Sequence, residues 1–90
     1  MLTIYTKDQC FYCKTLKRNL DKWGVSYQEV NISNSDSAME WFKLAGHTTV
    51  PQLYYGNTDV QRGASTELTK AKLEDRIERI IWPSIDSGIE

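Results

Sequence analysis

The tightest constraint on this chain is a junction near its start. A β-branched and aromatic run, Leu2-Thr3-Ile4-Tyr5-Thr6, is broken by Lys7-Asp8-Gln9 and passes into an amphipathic helical pattern. The only two cysteines, Cys10 and Cys13, stand at that junction with Phe11 and Tyr12 between them. Residues i and i+3 at a helix start have Cα atoms about 5 Å apart, inside the disulfide window of roughly 4.4–6.8 Å. The pair can therefore cycle between dithiol and disulfide.

The rest of the chain must build a scaffold for that junction. From Phe11 onward, Cys13, Leu16, Leu20 and Trp23 recur at helical spacing while charged residues such as Lys14, Lys17, Arg18, Asp21 and Lys22 fill the other face, and Gly24 follows as a C-terminal cap. Val25 to Ile32 reads as a strand on its β-propensity, with a polar mix suited to a sheet edge. Asn31 to Ser35 supplies turn and cap residues for a second helix, about Asp36 to Ala45, with Met39, Phe42 and Ala45 on one face and Gly46 at its end. A third strand, Thr48 to Tyr55, contains Pro51; Gly56-Asn57 is a turn signal, and Thr58 to Arg62 completes a hairpin. Gly63-Ala64 and the cap Ser65 introduce a last helix, roughly Thr66 to Ile81, with Leu73, Ile77, Ile80 and Ile81 as its buried stripe; Pro83 stops it.

The order β-α-β-α-β-β-α predicts an α/β fold. Strands one and two are expected to be parallel, joined by a right-handed crossover, with the hairpin added to the same sheet. The result is a four-stranded mixed sheet with helices on both faces. Ninety residues support one core, so residues 1–82 form a single expected domain and 83–90 a tail. The cysteines then lie at the C-terminal edge of the first strand, where open α/β sheets bind ligands.

Charge narrows the function. Eleven basic residues are interspersed with 12 acidic ones for a net charge of −1, which lacks the basic footprint of a nucleic-acid binder. No apolar run approaches the ~20 residues of a membrane span, and the start lacks a charged segment followed by an apolar one; a cytoplasmic location is expected. In a reducing compartment a lone C-x-x-C is more often catalytic or metal-binding than a structural staple. A closed zinc site needs two further ligands and His47 is the only histidine, so no metal is expected. His47 otherwise reads as a loop residue, and Trp41 and Trp82 as packing. At a helix N-terminus with Lys7 upstream, the Cys10 sulfur would face unpaired N–H groups and the positive end of the dipole, conditions that favour thiolate. Cys10 is thus the expected nucleophile and Cys13, one turn inside, the resolving thiol.

Three segments in this order, Cys10-Phe11-Tyr12-Cys13, Thr49-Val50-Pro51-Gln52 and Gly63-Ala64-Ser65-Thr66-Glu67-Leu68, make residues 1 to 82 resemble a glutaredoxin. The resemblance implies a thioredoxin-like fold and the use of glutathione to reduce protein disulfides and glutathione mixed disulfides, with ribonucleotide reductase as a family-type client. It implies a cis peptide before Pro51, with Thr49 and the Val50 backbone pairing with glutathione. It further implies Lys7 at the glycyl carboxylate, Tyr12 walling the sulfur, and Ser65 and Thr66 at the γ-glutamyl end. A monomer is expected. The chain departs from the family where Phe11 replaces a common proline, Ala64 a second glycine, Thr66 a frequent aspartate and Thr48 a frequent basic residue. A hydroxyl is a weaker partner for an ammonium group than a carboxylate, which leaves open a redoxin fed by thioredoxin reductase. A third alternative is an iron–sulfur module in which two chains each give Cys10 and a glutathione thiol; bulky Phe11 argues against it.

Overall fold

Alternation decides the first strand. β1 (Leu2–Thr6) buries Leu2, Ile4 and Thr6 and leaves Thr3 and Tyr5 half-buried on the opposite face. The computed structural model describes residues 2–63 and 68–81.

α1 (Phe11–Lys22) buries Cys13, Leu16 and Leu20, spaced three and four apart. Gly24, at φ +71°, closes it: its N–H reaches the Asp21 carbonyl at 3.1 Å, and the Val25 N–H reaches the Leu20 carbonyl at 2.9 Å. Glycine takes this left-handed turn without a Cβ penalty. Phe11, which opens the helix, is 71 % exposed, because two residues of helix rotate it about 200° from Cys13.

β2 (Tyr27–Asn31) is shorter than expected at both ends. Val25 is used in the closure of α1, and Ile32 opens a 3₁₀ turn, Ile32–Asn34, in which the Asn31 side chain accepts the Ser33 N–H at 2.8 Å. α2 (Asp36–Leu44) starts where the Ser35 hydroxyl accepts the Ala38 N–H at 3.2 Å. It buries Phe42 and half-buries Met39; Ala45, expected on that face, is the C-cap and is exposed. The α1 closure recurs here, with Gly46 bonded to Lys43 and His47 to Phe42.

β3 (Gln52–Tyr55) begins four residues later than expected, since the chain bends at Thr49-Val50 and Pro51 has no N–H to offer a ladder. β4 (Thr58–Arg62) completes the hairpin, with a bulge opposite Leu53/Tyr54. The last helix also starts later than the expected Thr66: α3 (Lys70–Ile81) follows Thr69, whose hydroxyl accepts the Lys72 N–H at 3.2 Å. Ser65, Thr66 and Trp82 lie outside the described residues. Leu73 is fully buried and Ile77 and Ile80 partly so, but Ile81, rotated about 100° from Ile80, is 46 % exposed.

The sheet order is β2-β1-β3-β4, with β1 parallel to β2 and antiparallel to β3. This is the expected four-stranded mixed sheet. Under α1 and α3, the aliphatic side chains Leu2, Ile4, Leu16, Leu20, Leu53, Val60, Leu68 and Leu73 form one cluster. Each such burial is worth about 1.5–3 kcal/mol. The other face is covered by α2, where Tyr5 stacks on Trp41 and meets Phe42 and Tyr54. Among the described residues no helix is long and apolar enough to cross a membrane.

Candidate active site

Cys10 occupies the N-cap of α1 with extended backbone angles, φ −107° and ψ 107°. Its sulfur accepts the Cys13 N–H at 3.1 Å and its carbonyl accepts the Lys14 N–H at 3.2 Å. The Cα atoms of Cys10 and Cys13 are 5.3 Å apart and the two sulfurs are joined as a disulfide. Cys10 is 8 % exposed and Cys13 2 %, so Cys13 is the more buried of the pair. A helix-start N–H aimed at a sulfur stabilises its anion once the disulfide opens, because the hydrogen bond and the helix dipole both favour negative charge there.

The loop that delivers Cys10 is held from outside α1. Gln9 adopts φ 58°, an uncommon conformation for a residue with a side chain, which turns the chain into the helix. The Asp8 N–H donates to the Ser33 hydroxyl at 3.1 Å, and the Asn31 amide donates to the Asp8 carboxylate at 2.9 Å. Asn31 and Ser33 were legible as turn formers; their grip on this loop was not.

Ahead of β3 the chain bends at Thr49-Val50, and the Val50-Pro51 peptide is cis. The Gln52 side chain donates to the Thr49 carbonyl at 2.9 Å and fixes the bend from below. Two hollows flank it. One of about 310 Å³ is lined by Lys7, Thr49 and Val50 together with Lys43 and His47. The other, of about 370 Å³, is lined by Phe11, Tyr12, Pro51, Arg18 and Gln61. The two hollows thus bring Lys7 together with Thr49 and Val50, and Tyr12 together with Pro51. Gln61 is held by Arg76 of α3, which also donates to the Val60 carbonyl at 2.8 Å.

His47 corrects the sequence reading. Far from being an ordinary loop residue, it is buried at 9 % exposure, with Nε2 hydrogen-bonded to the Tyr54 hydroxyl and 3.7 Å from an Asp59 carboxylate oxygen. Asp59 accepts the Gln61 N–H at 3.0 Å through Oδ1, while Oδ2 is buried without a hydrogen bond. Burial pushes the Asp59 carboxyl above the ordinary carboxylate range. Burial, and then the Asp59 charge, push the Tyr54 phenol up as well. The one sequence signal was an aspartate inside a strand, a position that disfavours it.

Comparison with known proteins agrees with this geometry. The family model described as Glutaredoxin matches residues 2–60. Glutaredoxin 1 of Rickettsia prowazekii (strain Madrid E) is 35 % identical over 83 residues, covering 89 % of this chain and 85 % of that protein. Glutaredoxin 3 of Escherichia coli (strain K12) is 46 % identical over 52 residues, 57 % of this chain and 63 % of the relative. Among solved structures, the glutaredoxin-like NrdH-redoxin from Escherichia coli superposes with a TM-score of 0.66 at 24 % identity, over 73 % of this chain and 86 % of that one. A buckwheat glutaredoxin–glutathione complex gives 0.56 at 24 % identity, over 66 % and 57 %. These two establish the thioredoxin-like fold. With a cysteine pair at a strand-to-helix junction, a cis proline at the head of β3, and a family match across most of the sheet, the chain belongs to the glutaredoxins, a family of thiol-disulfide oxidoreductases.

Proposed function

We propose that this glutaredoxin is glutathione-dependent, reducing protein disulfides and glutathione mixed disulfides as a monomer in a reducing cytoplasm. The observation that carries the reading is the Cys10 sulfur at the α1 N-cap, accepting the Cys13 N–H, with its partner sulfur buried one turn below. In the reduced protein the Cys10 thiolate attacks a client disulfide, forms a mixed disulfide and expels one client thiolate, which takes up a proton. The Cys13 thiol then gives up its proton and attacks Cys10 Sγ, closing the Cys10–Cys13 disulfide and releasing the second client thiol. Two electrons have moved from protein to client. Two glutathione molecules restore the dithiol: the first forms a mixed disulfide with Cys10 and frees Cys13, and the second removes the first as glutathione disulfide.

For glutathione, Lys7 receives the glycyl carboxylate, Tyr12 walls the sulfur, and the Thr49-Val50-Pro51 bend offers backbone pairing. Ser65 and Thr66 receive the γ-glutamyl end on the resemblance alone. The test is a coupled assay on a glutathione mixed disulfide. NADPH oxidation through glutathione and glutathione reductase supports the reading; oxidation only with thioredoxin reductase replaces it with the second one. That second reading draws on the fold likeness to NrdH-redoxin, whose structure is titled for a thioredoxin-like activity profile. Cys10→Ser should abolish transfer, whereas Cys13→Ser should lose protein-disulfide reduction and keep reduction of glutathione mixed disulfides. Reversed phenotypes would exchange the two roles.

A further inference from the structure

The two hollows beside Val50-Pro51 share a charge bias that the chain as a whole does not have. Lys7 and Lys43 border one and Arg18 the other, and among the described residues no carboxylate lines either. The whole chain has a net charge of −1. Anchoring glutathione accounts for Lys7 but not for Arg18, which lies seven residues beyond Phe11, about 10 Å further along the α1 axis. The rim is also unusually apolar. Phe11 is 71 % exposed and Tyr12 51 %, packed edge to face at 5.5 Å. Large aromatic side chains left exposed beside a reactive group mark contact surface.

From this we infer that the groove selects its protein clients: it takes an extended acidic segment with a large apolar side chain next to the half-cystine. The inference rests on the proposed oxidoreductase reading and names the substrate class for it. The apolar side chain lies on Phe11 and Tyr12, and carboxylates on either side meet Arg18 and the Lys7/Lys43 pair. Complementary charge of this kind acts mainly on the encounter rate and weakens with salt.

The test uses the pre-reduced protein in single turnovers, so that no external reductant enters the measurement. Three short synthetic peptides carry the same internal disulfide: one flanked by glutamates with a neighbouring phenylalanine, one with lysines in place of the glutamates, and one with glutamates but serine in place of phenylalanine. Peptide thiol release is followed at low and high salt. The glutamate–phenylalanine peptide should react about tenfold faster than the lysine peptide at low salt, the ratio shrinking at high salt. It should also react several-fold faster than the serine peptide. Arg18→Glu, and independently Lys43→Glu, should each cut the acidic-to-basic ratio severalfold; using the ratio cancels any general loss of activity. Equal rates for the acidic and basic peptides would overturn the inference and leave the cations to glutathione alone, and equal rates with serine would remove the apolar contact. If none of the three peptides is reduced, it is the oxidoreductase reading that fails.

Discussion

The two faces of the sheet are buried by different chemistry. On the side of α1 and α3 the interior is aliphatic, and Ile4, Leu20, Leu53 and Leu73 are fully excluded from solvent. On the side of α2 a single nine-residue helix covers Tyr5, Tyr54, His47 and Asp59 with Phe42 and a Trp41 that remains 42 % exposed. The first face gains stability from area removed from water. The second gains less per residue, because it must satisfy hydroxyl, imidazole and carboxylate groups in the same space. It is also the face from which His47 leads directly into the Thr48–Pro51 bend. The face with the weaker cover thus adjoins the Thr48–Pro51 bend, while the dense face anchors the cysteine helix.

That contrast can be broken by substitution. Leu53→Ala on the aliphatic face should destabilise the fold by about 3 kcal/mol in urea unfolding, from lost transfer energy and an unfilled cavity. Trp41→Ala removes a larger side chain yet should cost only about 1.5 kcal/mol, since the indole is part-exposed and contributes mainly its stack on Tyr5. Equal losses at these two positions would mean that the faces are equivalent.

Titration sharpens the same comparison, because the carboxylates on the two faces shift in opposite directions. The folded pKa of Asp59 is raised, so its ionised form opposes folding above that pKa, and the penalty disappears as pH falls through it towards the unfolded value. Asp59→Asn should therefore stabilise the protein by about 1 kcal/mol at neutral pH and by nothing in acid. A stability loss at neutral pH would show that the charge, paired with His47, supports the fold.

Glu29 runs the other way. The Thr6 hydroxyl, at 2.7 Å, and then Lys17, at 3.1 Å, hold its carboxyl below the ordinary range. That stabilisation is present above the unfolded pKa and is lost as pH falls through the lowered folded one. Thr6→Val should cost only about 0.5 kcal/mol at neutral pH, since the Glu29 side chain is 32 % exposed and water can replace the donor, and the difference should vanish in acid. Thermal melts of both variants across pH would show deviations of opposite sign converging at the acid end.

How far the chain could be read in advance follows the same division. α1 was legible because Cys13, Leu16 and Leu20 repeat at helical spacing and Gly24 marks the stop, both local signals. The mixed character of the sheet followed from one crossover and one hairpin, whereas the order β2-β1-β3-β4 came only with the structure. The late starts of β3 and α3 escaped because a bend at Thr49-Val50 and a cap at Thr69 compete with the upstream alternatives, and only packing selects between them.

The sequence by itself determined where the two sulfurs stand: i,i+3 spacing and a strand-to-helix boundary are short-range properties that rotation per residue fixes. Tertiary structure alone decided what surrounds them. The Asp8–Asn31–Ser33 ties, the His47–Tyr54–Asp59 cluster and the two cation-bordered hollows each join residues from different elements. Contacts of that kind depend on how the sheet and helices pack, and they leave no periodic trace along the chain.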